Sequence, residues 1–189
     1  MTTANKLTIL RIALVPVFLA VLCWGFPGAR WVALAIFILA SLTDLLDGYI
    51  ARRCNQVTNF GKFMDPLADK ILVLSAMCFL VEKGQMPGWV LAVVLLREFA
   101  VSGMRLVAVE QGRVIAAGWS GKVKTAATMV CLCLMLLVGP PQLGDSAPDF
   151  TAHISTAVIL VTTVWSGVEY FTVKREVQGL RSFAEAIHY

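Results

Sequence analysis

Charge is scarce in this 189-residue chain: 15% of its residues are Asp, Glu, Lys or Arg, while 58% are hydrophobic. With a mean hydropathy of +0.77, this composition argues against a soluble domain, which would need far more polar surface at this size. Histidine is scarcer still. Only His153 and His188 occur, one near a loop and one next to the C-terminus, which argues against a histidine metal centre. The five cysteines (Cys23, Cys54, Cys78, Cys131 and Cys133) form no CxxC pair and no paired framework. Lying mostly in apolar runs, they read as small core residues. No internal repeat is visible, and the longest loops are about 109–121 and the GPPQLGDSAPDF segment. That leaves no room for a separate soluble domain, so any chemistry has to come from the helices. The first apolar run lacks a small-x-small cleavage site in VLCWGFPGAR and is interrupted by Arg11, so it reads as a retained helix rather than a signal peptide.

What the chain does have is six apolar runs, at about 7–24, 31–50, 67–82, 88–108, 123–139 and 152–172. A span needs roughly 20 residues to cross a hydrocarbon core of about 30 Å. Two of the runs are short on that count, but their flanks extend them. The expectation is an all-α polytopic membrane protein with six transmembrane helices, forming one integral-membrane catalytic domain over 1–189. Basic residues orient it. With the N-terminus inside, 13 of the 16 lie on the inner side (Lys6, Arg11, Arg52, Arg53, Lys62, Lys70, Arg105, Arg113, Lys122, Lys124, Lys174, Arg175 and Arg181). Arg30 and Lys83 fall outside and Arg97 lies within a span. This bias predicts that both termini are cytoplasmic. Trp24, Trp31 and Trp89 fall at the outer boundaries, where an amphipathic ring prefers the headgroup region. The net charge of +4 is distributed as the same inner bias; anionic lipid accounts for it, and nothing points to nucleic acid.

Against this background the stretch DLLDGYIARRCNQVTNFGKFMDPLAD, from Asp44 to Asp69, stands out for its four carboxylates. Asp44 and Asp47 are spaced i,i+3, so one helical face carries both, together with Gly48 and Ala51 and with Arg52 beside them. Gly48 and Ala51 are small enough to let a bulky group approach the backbone. Past a short loop, Asp65 and Asp69 are spaced i,i+4, and Pro66 suits a first helical turn, where its missing N–H costs nothing. Gly61 precedes them. Two antiparallel neighbours would bring the four carboxylates together near the cytoplasmic boundary, where they would repel and some would protonate unless cations neutralised them. Oxygen donors without His or Cys point to a hard divalent ion, Mg²⁺ or Mn²⁺. Two such ions would offset the four charges and attract a pyrophosphate. A cluster of ionisable groups in a membrane segment is a functional hypothesis by default.

These residues have the form D-x2-D-G-x2-A-R-x8-G-x3-D-x3-D, complete at every position, and in this the chain resembles the CDP-alcohol phosphatidyltransferase family. The resemblance implies a six-helix membrane enzyme, usually a homodimer, in which Asp44, Asp47 and Asp65 coordinate the metals. It implies that Asp69 is a further ligand or the general base, and that Asp44, Gly48, Ala51, Arg52 and Gly61 shape the pocket for the CDP moiety. The opening NKLTILRI, the segment REFAVSGMR and the later WSGKVKT are similar to the branch of the family whose acceptor is sn-glycerol 3-phosphate. That branch joins CDP-diacylglycerol to the acceptor with release of CMP, here at the inner face of a bacterial cytoplasmic membrane.

An acceptor with its own phosphate requires cations. Arg105 lies near the cytoplasmic end of the fourth helix, on one stripe with Glu98 and Ser102, and is expected either to meet that phosphate or to pair with Glu98 or a lipid phosphate. Lys122 and Lys124 begin the fifth helix on the same side but on different faces, as acceptor ligands or as positive-inside anchors. Arg97 and Glu98 are expected to form a buried polar pair, because two unpaired charges at that depth would be costly. Thr8 and Arg11 are candidates for substrate contact, with a simple interfacial anchor as the alternative. A cardiolipin-forming or other branch of the same fold competes on the acceptor. A cation transporter or scaffold would favour carboxylates near the midplane on broken helices, whereas these lie toward one membrane face beside Gly48 and Arg52.

Overall fold

Six α-helices form among the described residues: α1 Thr3–Trp24, α2 Ala29–Arg53, α3 Asn59–Glu82, α4 Gly88–Glu110, α5 Trp119–Val138 and α6 Phe150–Ile187. The computed structural model describes residues 3–53, 59–110, 118–138 and 150–187, and the side chains of 9–43, 70–105, 118–138 and 150–172. Each helix contains one of the six apolar runs. Two helices are long and apolar enough to cross a bilayer among the described residues, α5 over Trp119–Val138 and α6 over Phe150–Thr172. Among the described residues, Ile9–Trp24 and Ala29–Thr43 are shorter apolar stretches.

Two boundaries differ from the sequence reading. Pro66 was expected in the first turn of the third helix, but α3 starts at Asn59, so the proline lies inside the helix and Gly61 belongs to it too. The proline costs the N–H that would have met the Lys62 carbonyl. The 38-residue α6 continues to Ile187, well past the apolar run. At 1.5 Å per residue it is about 57 Å long, more than a hydrocarbon core requires.

The chain divides into two compact units, one of Met1–Pro87 with Leu132–His153 and one of Gly88–Cys131 with Ile154–Tyr189. In the first, α1 packs along both α2 and α3. The buried positions are Arg11, Val15, Phe18 and Leu22 on α1; Ala29, Ala33, Phe37 and Ala40 on α2; and Leu72, Ala76, Met77, Phe79 and Leu80 on α3. Steps of three and four give α1 and α2 one buried stripe each, and α3 buries a broader face. The alanines let helix backbones come close, as packing between membrane helices favours. Phe18 and Phe37 meet with ring centroids 6.0 Å apart.

The turns of this unit are encoded locally. Between α1 and α2, Phe26-Pro27-Gly28-Ala29 closes with the Ala29 N–H donating to the Phe26 carbonyl at 2.9 Å, and Gly28 sits at φ +93°. Proline second and a positive-φ glycine third is the type II pattern. α3 ends in a Schellman motif. The Gly84 N–H donates to the Val81 carbonyl at 3.0 Å and the Gln85 N–H to the Leu80 carbonyl at 2.9 Å, with Gly84 at φ +75°. Arg30 Nη1 donates to the Val138 carbonyl at 3.0 Å, tying the start of α2 to the end of α5.

The second unit has a more polar interior. α5 buries Ser120, Lys124 and Thr128, and α6 buries Thr163 and Ser166 beside Ile159. Trp24, Trp31 and Trp89 are exposed at helix ends. Cys131 is buried and Cys133 half-buried, but Cys23 and Cys78 are exposed, which corrects the reading of the cysteines as core. A helix facing lipid gains little by hiding a small apolar side chain. Cys54 lies outside the described residues.

Candidate active site

The carboxylates of the sequence motif fall on two helices of the first unit. α2 contains Asp44, Asp47, Gly48, Ala51 and Arg52, and α3 contains Gly61, Asp65 and Asp69. The side chains at all eight positions lie outside the described residues, as does that of Thr8. What the structure provides is the helical register leading to them. Asp44 and Asp47 stand four and seven residues beyond Ala40, the last buried position of α2 before the motif, and Asp69 and Asp65 stand three and seven before Leu72 of α3. Both pairs lie at the ends of α2 and α3 that flank residues 54–58.

Arg11 sits on the buried stripe of α1 and is 1% exposed. A side chain buried to this extent does not reach outward in the way a long basic side chain at the headgroups does. A guanidinium buried this fully belongs to the interior of the unit that holds the carboxylates.

The basic residues singled out for the acceptor lie in the second unit, where each has a different setting. Lys122 is exposed. Lys124 is 5% exposed, and its Nζ donates to Glu98 Oε1 at 2.7 Å. Arg97 Nη1 donates to the same oxygen at 2.8 Å, so the expected Arg97–Glu98 pair is present, with Lys124 as a further cation on it. Arg97 Nη2 also donates to Ser166 Oγ on α6. Arg105 is half-buried and does not take the Glu98 carboxylate. Its guanidinium carbon lies 5.9 Å from the centroid of the Tyr170 ring, in cation–π range. Ser102 Oγ donates back to the Glu98 carbonyl at 2.7 Å.

Reasoning from sequence missed Ser166, Tyr170 and the Lys124–Glu98 pair. An apolar helix carrying Arg97 and Glu98 signals that polar partners exist, but no spacing rule reaches across 26 or 69 residues.

Comparison with known proteins covers nearly the whole chain. The sequence profile of the CDP-alcohol phosphatidyltransferase family matches residues 1–167. The CDP-diacylglycerol–glycerol-3-phosphate 3-phosphatidyltransferase of Bacillus subtilis is 43% identical, covering 89% of this chain and 92% of its own. A probable phosphatidylglycerophosphate synthase of Mycobacterium tuberculosis is 40% identical over 96% of this chain and 86% of its own. The CDP-diacylglycerol–glycerol-3-phosphate 3-phosphatidyltransferase of Salmonella typhimurium is 38% identical, over 89% and 92%.

Proposed function

The chain belongs to the CDP-alcohol phosphatidyltransferase family, and from that premise we infer its reaction: transfer of the phosphatidyl group of CDP-diacylglycerol to sn-glycerol 3-phosphate. The products are phosphatidylglycerophosphate and CMP. The observation that carries this is similarity of about two residues in five, along nearly the full length, to relatives named for that reaction, in a chain whose aspartate motif is complete.

Divalent-cation dependence is the general expectation for the family. The donor chemistry fits: four carboxylates on adjacent helices of one unit supply hard oxygen ligands. We assign Asp44, Asp47, Asp65 and Asp69 to hold Mg²⁺ or Mn²⁺, as two ions. The chemistry such ions supply when bound is withdrawal of charge from the phosphoryl oxygens and from the departing CMP. Asp44, Gly48, Ala51, Arg52 and Gly61 line the CDP pocket in this reading, and Thr8 and Arg11 contact substrate.

Asp69 is also the proposed base. It accepts the proton of a glycerol 3-phosphate hydroxyl as that oxygen attacks the β-phosphorus. The new P–O ester bond forms, the bond from that phosphorus to the bridging oxygen breaks, and CMP leaves with the bridging oxygen. An aspartate carboxylate is a weak base, so much of the acceleration comes from charge stabilisation and from positioning of the acceptor. Arg105, Lys122 and Lys124 are the proposed partners of the acceptor's own phosphate, since a near-dianion requires cations.

The chain is a membrane protein, on its two long apolar helices and its family. We extend this to six spans in one catalytic domain, with both termini and the carboxylate site on the cytoplasmic side of a bacterial inner membrane, and to a homodimer. The charge bias supports the orientation, and the family resemblance supports the dimer. An acceptor panel tests the function: purified protein with labelled CDP-diacylglycerol should form phosphatidylglycerophosphate from glycerol 3-phosphate. No product should form from phosphatidylglycerol, serine or inositol phosphate, and product from one of those instead would reassign the branch.

A further inference from the structure

One polar chain ties three helices of the second unit together. Ser166 on α6 accepts from Arg97 on α4, Arg97 donates to Glu98 Oε1, and Lys124 on α5 donates to the same oxygen. The side chains of Arg97, Glu98 and Lys124 are 14%, 16% and 6% exposed. Two cations thus meet one carboxylate oxygen in an apolar setting, where charge is costly to keep.

What Arg97 adds is geometry. Its planar guanidinium directs separate N–H donors to separate partners, one on α6 and one on its own helix. The Lys124 ammonium is a point charge on a flexible stem, so its location depends on where its partner oxygen is held. Braced from the α6 side through Arg97, Glu98 Oε1 stays at one point, and Lys124 with it.

We propose that Arg97 is a positioning residue for the transfer: braced by Ser166, it fixes Glu98 Oε1 and thereby the Lys124 ammonium near the start of α5. This rests on the assignment of Lys124 to the acceptor phosphate. Arg97 itself need not touch substrate.

The test is steady-state kinetics of the purified full-length protein in detergent micelles, with CDP-diacylglycerol and glycerol 3-phosphate varied separately and thermal unfolding followed alongside. The variants are Arg97→Gln, Arg97→Lys, Lys124→Met and the double Arg97→Gln/Lys124→Met. Arg97→Gln should raise the acceptor KM about tenfold, equivalent to about 1.4 kcal/mol if KM tracks binding. The KM for CDP-diacylglycerol should stay within about twofold, because the loss is confined to the acceptor's binding. Arg97→Lys should recover part of the loss. The double variant should be no worse than Lys124→Met alone, since residues acting in series are not additive.

The proposal is overturned if Lys124→Met raises the acceptor KM while Arg97→Gln lowers only the melting temperature, or if the losses multiply in the double variant. If Lys124→Met leaves the acceptor KM unchanged, the assignment of Lys124 has failed and the proposal falls with it. A wild-type protein inactive toward glycerol 3-phosphate would instead refute the function. Should Arg97→Gln not fold, Ser166→Ala removes the brace while keeping both cations, and the same rise in acceptor KM is expected of it.

Discussion

Replacing Arg105 by alanine removes a cation that stands over an aromatic face near the end of α4, with its guanidinium carbon 5.9 Å from the Tyr170 centroid. If that guanidinium meets the acceptor phosphate, the loss is that of a charge-assisted hydrogen bond, about 1.5–3 kcal/mol. At 1.4 kcal/mol per factor of ten, the acceptor KM should rise roughly tenfold to a hundredfold. Arg105→Lys should recover only part, because an ammonium does not reproduce the planar fork. The ring contributes less. A partly exposed cation–π contact is worth about 0.5–1 kcal/mol, so Tyr170→Leu should raise the same KM about two- to fivefold, and Tyr170→Phe should leave it nearly unchanged. The assay is CMP release with each substrate varied in turn, and the KM for CDP-diacylglycerol should move much less than that for glycerol 3-phosphate. The reasoning is refuted if Arg105→Ala leaves the acceptor KM in place while the melting temperature falls. Arg105 would then be a packing partner of Tyr170, and the acceptor assignment would lose its main cation.

Asp44→Asn, Asp47→Asn and Asp65→Asn should each abolish most CMP release while the protein still inserts and folds, checked by gel filtration in detergent. Activity should vanish in EDTA and return with Mg²⁺ or Mn²⁺; full turnover in EDTA would end the metal assignment. For topology, single-cysteine probes in the 54–58 connection and in the 141–149 segment should label from opposite faces of the membrane, because α3, α4 and α5 separate them. Labelling of both from the same face would require an even number of crossings between them and would rule out six spans.

Helix number and the carboxylate motif were legible in the sequence because both depend on short-range regularities. An apolar run long enough to bury its backbone becomes a helix wherever it packs, and spacings of three or four residues put Asp44 with Asp47, and Asp65 with Asp69, on common faces before any neighbour is known. The Arg97–Glu98 pair was legible for a related reason: adjacent opposite charges in an apolar helix can satisfy each other locally. The start of α3 was misread because Pro66 favours a first turn, yet the helix begins at Asn59. A single missing hydrogen bond did not outweigh continuing the helix.

Burial of Arg11, the capture of Lys124 by Glu98, the brace from Ser166 and the seat of Arg105 over Tyr170 were decided by tertiary structure alone. Each depends on which helix stands opposite and at what height. Lys122 and Lys124 show the limit most directly. They are two residues apart and of one type, and the sequence assigns them different faces without saying which face is covered. Only the tertiary structure, with Glu98 of α4 standing opposite, leaves Lys122 exposed and buries Lys124 on a carboxylate, because periodicity sets the angle of a side chain around its own helix and nothing about its neighbour.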